Sequence, residues 1–321
     1  MRCLVNTERE IMAQHLLDGP PGVAGVSFWQ RLWQEKTARR GIVLVACVVL
    51  AALCAPLVAT LTGHAETQQF RDTALSDMGI PIGPSRAFLL GADDNGRDVL
   101  VRTLYGTRIS LLVALPATSL ALVTGLLVGL LGGYRGGKTD ALCQQLINLV
   151  LSFPFVVTAL SLLALNLAGS EGPRVNPAWV VIFIISFFSW GYFARLTRSL
   201  VLDLRQQPYV SAAQLMGLSS RRIIWRDILP GVLPAVGVYW AIQLPTNIIA
   251  EATLSFLGVG IPAPAASLGN MIADVQRSAM YQAQPWFLIA PALALFLTVL
   301  GFNCLSSGLR NVLDPHMETR R

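Results

Sequence analysis

Six stretches of this chain carry no charged side chain, and each is long enough to be a bilayer-crossing helix: residues 42–61, 109–131, 141–170, 175–194, 228–250 and 278–309. A spanning helix needs about 20 apolar residues. In hydrocarbon, every backbone N–H and C=O must be satisfied without water. These blocks are continuous rather than alternating, so they fit helices and not barrel strands. Only 13% of the residues are charged, against about 25% in an ordinary soluble domain. The expected fold is an all-α polytopic membrane protein with six transmembrane helices.

A seventh uncharged block, 252–273, contains Gly258, Gly260, Pro262, Pro264 and Gly269. Glycine and proline interrupt helices. Its start is read as the end of the fifth span and the rest as an external loop with a short re-entrant piece.

Charge sets the orientation. With six spans and both ends inside, the cytoplasmic segments are 1–40, 134–140, 195–230 and 306–321. Of the 24 basic residues, only Arg71, Arg86, Arg97, Arg102, Arg108, Arg174 and Arg277 fall elsewhere. That asymmetry predicts N-in, C-in. It also accounts for the net charge of +6 without nucleic acid as a partner. The expected organisation is a cytoplasmic tail (1–40), a first span (41–63), an external loop (64–108), a five-helix core (109–309) with a cytoplasmic loop at 196–230, and a second tail (310–321).

Within the first tail, Phe28, Trp29, Leu32 and Trp33 recur at helical spacing beside Arg31 and Lys36. They fit an interfacial helix, or an aromatic belt without one; both place the segment at the lipid surface. Cys47 follows a lipoprotein-like Leu-Val-Ala, but the apolar run continues past it, so it is read as part of the first span. Cys3, Cys47, Cys54, Cys143 and Cys304 show no metal-type spacing and are read as small buried hydrophobes.

Several patterns point to chemistry that their context does not support. Residues 132–139, GGYRGGKT, fit a P-loop. A P-loop needs a strand before it and a helix N-terminus facing the phosphates. Here a membrane block precedes it, so a tight cytoplasmic turn is expected. Residues 258–263, GVGIPA, loosely match a dinucleotide fingerprint but lack a βαβ setting. In the external loop, residues 91–98 read GADDNGRD. Asp93, Asp94 and Asn95 are expected to satisfy backbone groups at a helix start. Calcium is the alternative, but EF-hand spacing would put Gly91 at the first ligand position. His15, His64 and His316 lie outside the spans and far apart. No catalytic or metal site is expected. Glu251 is the one acid well inside an apolar block. Such a group is either a functional site or an interior carboxyl satisfied by Thr253, Asn247 or a partner chain.

The loop 209–230 reads YVSAAQLMGLSSRRIIWRDILP. It is too polar for hydrocarbon and must project into water. Tyr209, Ser211, Ala212, Ala213, Gly217, Leu229 and Pro230 resemble the EAA loop of ABC importer permeases. Residues 91–98 resemble the GTDxxGRD segment of the dipeptide/oligopeptide/nickel branch, and residues 132–140 its GYxGGxxD turn. Ser152-Phe-Pro154, Ala194-Arg-Leu196, residues 250–258 (AEATLSFLG) and residues 308–315 (GLRNVLDP) follow in family order. The resemblance covers roughly residues 28–315, and the short first external loop is similar to the C-type subunit.

That resemblance implies a six-span, MetI-like permease paired with a B-type permease. Two cytoplasmic ABC ATPases would hold the ATP and Mg and receive the coupling helix. An extracytoplasmic binding protein would deliver a peptide. The chain itself would hold no cofactor and catalyse no reaction, and it would sit in a bacterial inner membrane. In the family, Glu usually stands where this chain has Ser211, so Arg221 and Arg222 are candidates for more of the ATPase contact. The terminal motif also departs, at Ser306, Ser307 and Asn311. Rival readings are the same role for nickel, a metallophore or another small solute, a free-standing secondary transporter, and a membrane enzyme. The secondary transporter would need more intramembrane ionisable groups than Glu251.

Overall fold

The computed structural model describes residues 28–167, 175–278, 282 and 284–313. Cys3, His15, His316 and residues 314–315 of the terminal motif lie outside them. The described residues form helices joined by short turns and by one long loop, 63–98, with only two isolated β-bridges.

A short helix α1 (Phe28–Gln34) leads into α2 (Lys36–Thr62). One turn, α3 (Arg71–Ala74), lies in the following loop, and α4 (Val99–Arg135) returns. Helices α5 (Gly137–Ser152) and α6 (Phe155–Leu167) come next, then α7 (Pro177–Arg205). Short helices α8 (Pro208–Leu215) and α9 (Ser220–Ile223) and a π-turn (Ile224–Ile228) precede α10 (Leu229–Phe256). Helices α11 (Leu268–Ser278) and α12 (Trp286–Leu313) complete the bundle.

Five runs are long and apolar enough to cross a membrane: α2, α4, α7, α9–α10 and α12. The uncharged block at 141–170, expected to be the third spanning helix, is broken in two. Helices α5 and α6 meet at a bend of 78°. Pro154 explains the break: it has no N–H to donate and drives Phe153 out of the α region into extended backbone, at φ −77°, ψ 133°.

Small residues set the packing. Gly125, Gly129 and Gly133 recur every four residues on α4 and meet Phe193, Thr197 and Val201, which share that spacing on α7. A Cβ at Gly129 would lie 2.5 Å from Thr197 Cβ. The two backbones therefore run in close contact, as small-residue stripes permit in membranes. Gly133 belongs to the stretch that mimics a P-loop. Its preceding element is a helix, and Gly136 and Gly137, at φ 68° and 55°, turn the chain into α5. Asp140 on α5 then accepts two hydrogen bonds from the Arg198 guanidinium on α7.

Helices α2 and α12 pack antiparallel through Gly41 against Leu305 and Gly308 against Ala38. A Cβ on Gly308 would lie 2.4 Å from Ala38 Cα. Gly308→Val is therefore expected to pry the pair apart at a cost of about 1–3 kcal/mol. The check is the thermal midpoint of the purified chain; an unchanged midpoint would refute this contact.

The cysteines depart from expectation. Cys47 and Cys54 are exposed on the outside of α2, and Cys143 and Cys304 are partly exposed. Spanning helices show apolar side chains to lipid, so an apolar block does not imply burial within the chain.

The external loop is held by charge. Asp93 accepts from the backbone N–H groups of Asn95 and Arg97, at 2.9 and 2.8 Å. It also pairs with Arg97 at 2.6 Å and Arg102 at 3.3 Å. The helix cap itself is Asp98, whose carboxylate accepts from Leu100 and Val101 and pairs with His64 at 2.7 Å. Asp93 thus satisfies backbone groups as expected, but the cap lies five residues further on.

Asp94 fares differently. Burial first, then the neighbouring Asp93 and Asp274, push its carboxyl above the ordinary range. A raised folded value favours the protonated fold, so its contribution is fully present at low pH and is lost as pH rises through that value. Asp94→Asn should raise the thermal midpoint by roughly 2 °C at pH 7, and by less as the pH falls toward the carboxylate range. A gain that is the same at every pH would refute the cause.

Candidate functional site

Helix α8 owes its place to two faces. Val210 and Ala213 are buried against a cluster that includes Tyr134, Val201, Ile223 and Val232. Tyr209, Ser211, Ala212 and Leu215 face outward. The helix closes in a Schellman turn: Gly217 N–H donates to Gln214 O at 3.0 Å and Leu218 N–H to Ala213 O at 3.2 Å. Gly217 sits at φ 76°, and no other residue crowds the position where a Cβ would stand. It is required by its backbone angle, not by space.

After Gly217 the chain starts a continuous helical run, Ser220–Phe256, in which Pro230 follows closely on the π-turn at Ile224–Ile228, where the regular i to i−4 hydrogen-bond ladder is already interrupted. Leu229 is half-buried and Pro230 exposed. Helix α8 is therefore strapped between the ends of two long rods, α7 and α10.

What it displays is unusual for a surface beyond the spans. Leu215 is 90% exposed, Met216 72% and Trp225 62%, with Tyr209 beside them. Arg221 and Arg222 are exposed and have no ion-pair partner among the described residues. Ser211 is exposed too. Large apolar groups rimmed by cations mark an interaction surface. All nine loop residues singled out from the sequence lie in this one region, and Glu251 lies elsewhere.

Glu251 is fully buried in α10. Its carboxyl accepts hydrogen bonds from Ser110 on α4 (2.6 Å), Ser255 on α10 (2.8 Å) and Ser267 before α11 (2.8 Å). The expected partners Thr253 and Asn247 are engaged otherwise. Thr253 donates to its own helix at Ile249 O. Asn247 donates to Thr118 on α4 and accepts from Ser189 on α7. Ser110 and Ser267 are 141 and 16 residues away from Glu251 in sequence, which is why local inspection misses them.

A second feature escaped sequence reasoning. A cavity of about 190 Å³ opens at the α5–α6 break, lined by Phe153, Phe155, Ser189, Gln243, Thr246 and Asn247 among others. Uncharged amides and hydroxyls meet aromatic walls there. Irregular backbone at membrane depth is tolerated where it lines such a space. The signal available in the sequence was Ser-Phe-Pro at 152–154 together with the polar cluster on α10.

Five long apolar helices, a sixth apolar pair bent sharply at Pro154, a recess at that bend and a helix displayed beyond the spans are the architecture of a polytopic membrane protein. Residues 108–319 match the binding-protein-dependent transport system inner membrane component family, and the chain belongs to it. The dipeptide transport system permease protein DppC of Alkalihalophilus pseudofirmus is 34% identical, over 91% of this chain and 90% of its own length. The oligopeptide transport system permease protein OppC of Haemophilus influenzae is 34% identical over 91% and 89%, and that of Bacillus subtilis 32% over 91% of each. The inward-facing MetNI methionine ABC transporter shares the fold, with a TM-score of 0.53 at 19% identity, over 67% of this chain and 97% of that one. The fold is therefore MetI-like, in a bacterial cytoplasmic membrane protein.

Proposed function

We propose that this chain is the C-type permease subunit of an ATP-driven importer of di- and oligopeptides. It pairs with a B-type permease to enclose the path. Two cytoplasmic ATPases bind ATP and Mg and grip α8, and an extracytoplasmic binding protein delivers the peptide. The observation that carries this reading is α8: anchored by Val210 and Ala213, displaying Leu215, Met216 and Tyr209, and joined directly to two spans. A partner that moves α8 moves α7 and α10 as rigid bodies. The names of the relatives support the peptide substrate.

Ser211 can offer a neutral hydrogen bond but no charge, so in this reading the apolar display and Arg221–Arg222 carry most of the ATPase contact. The cavity at the helix break suits a solute rich in amides, because the exposed Thr246 hydroxyl and the Gln243 amide beside it can donate and accept without fixing a charge.

The test is a mild-detergent pull-down of the tagged chain from native membranes, read by mass spectrometry. Recovery of a second six-span permease, P-loop ATPases and an extracytoplasmic binding protein is expected. Recovery of the chain alone, from a preparation that still transports, would overturn the proposal.

A further inference from the structure

The Trp-Arg segment ahead of the first span borders a cleft of about 570 Å³. The cleft runs along the seam between α2 and α12. Val43 and Leu44 of α2 and Leu300 of α12 form an apolar floor, and Arg39, Arg40 and Trp33 stand at its rim. Both arginines are exposed, and neither has an ion-pair partner among the described residues.

The boundary between charged and uncharged residues sets the depth of this cleft. The uncharged run begins at Ile42, immediately after Arg40 and Gly41. The two guanidiniums therefore sit where hydrocarbon gives way to headgroups. Trp33, half exposed, stands at the same level, where an indole is at home. Helix α1 keeps the rim in place, because Leu32 is buried while Trp29 and Trp33 face out. Lys36 and Arg310 add positive charge and Glu35, held by Asn311 of α12 at the same seam, offsets one of them, so the rim stays net positive.

We infer that this cleft is a binding site for one anionic diacyl phospholipid. Arg39 and Arg40 take the phosphate and its acidic headgroup, and one acyl chain lies on Val43, Leu44 and Leu300. Guanidinium is the side chain best matched to a phosphodiester. The apolar floor selects lipid over a free phosphate, which would use the rim and leave the floor empty. Basic pockets between spanning helices on the cytoplasmic side are suited to acidic lipids. The lipid would brace the α2–α12 pair, which the glycine contacts at Gly41 and Gly308 bring together. The site is independent of which solute the permease transports.

The experiment is native mass spectrometry of the full chain, purified with its co-purifying partners and titrated with phosphatidylglycerol or phosphatidylcholine. The wild type should retain one phosphatidylglycerol at this chain with about tenfold preference over phosphatidylcholine. Arg39→Gln with Arg40→Gln should abolish that preference. Arg39→Lys with Arg40→Lys should restore part of it and shows that the surface change leaves the protein folded. Equal retention of phosphatidylglycerol by wild type and the glutamine variant would overturn the site. So would phosphatidylcholine held as tightly as phosphatidylglycerol by the wild type. Displacement of the lipid by millimolar glycerol 1-phosphate would mean a phosphate site without an acyl seat, and would overturn the assignment to lipid.

Discussion

Ala212→Asp and Gly217→Val should each abolish ATP-driven uptake while leaving the chain in the membrane. The two substitutions act differently on one element. Ala212 is exposed on α8, so aspartate leaves the packed face of Val210 and Ala213 untouched. It places a charge in a contact that the reading of α8 makes apolar, and a charge buried without a partner costs several kcal/mol. Gly217 occupies a left-handed backbone angle at φ 76°. A β-branched side chain there costs about 1–3 kcal/mol and is met most cheaply by rebuilding the turn. The Schellman bonds to Gln214 and Ala213 are then lost, and α8 is re-aimed. Uptake of a labelled dipeptide should fall by at least tenfold, with immunoblotted membrane abundance near wild type and less ATPase in the pull-down. Uptake at wild-type rates by both variants would remove α8 as the docking element.

Glu251→Leu should lower the stability of the core more than any surface change. Three serine hydroxyls on three segments lose their shared acceptor inside the bundle. At about 0.5–1.5 kcal/mol per neutral hydrogen bond, the loss is roughly 2–4 kcal/mol. For a chain of this size that corresponds to a fall of about 3–6 °C in the thermal midpoint. Glu251→Gln keeps a carbonyl acceptor and should fall in between. The close approach of Gly269 to the Ala252 carbonyl means that the loop before α11 has little freedom to fill the gap. A midpoint unchanged in the leucine variant, measured in detergent, would show that the carboxyl is no tether.

Much of this architecture is legible in the sequence because hydrocarbon permits so few solutions. Uncharged blocks at 42–61, 109–131, 175–194, 228–250 and 278–309 each became a spanning helix, since backbone groups in lipid must pair within their own segment. The end of α8 was legible for a local reason, since a glycine after an Ala-rich helix is its left-handed stop; Pro230 marked no helix start, because the next run begins ten residues earlier, at Ser220. The break at Ser152–Pro154 was less so, because an apolar run with one proline also describes helices that merely kink, as α10 shows with Pro234 and Pro245 inside it. The Asp98 cap was obscured by the acids just before it, which look equally suited until Asp93 is seen paired with Arg97 and Arg102. The partners of Glu251 and the lining of the cavity come from segments far apart in sequence, and no periodicity reports such meetings.

The buried anchors of α8 have a consequence for how such a subunit can vary. Val201 on α7 and Val210 on α8 belong to the same packed cluster, so the chain between them acts as a ruler with both ends nailed down. One residue inserted into a helix shifts the downstream residues by about 1.5 Å and rotates them by about 100°. An insertion within α8 ahead of Val210 would swing Leu215 and Met216 toward the bundle and lift Val210 out of it. A change of letter, such as serine for glutamate at 211, leaves that phase intact. Drift at the displayed positions is therefore open to a lineage whose ATPase drifts with it, while the helical phase from Pro208 to Leu215 is closed to insertion and deletion.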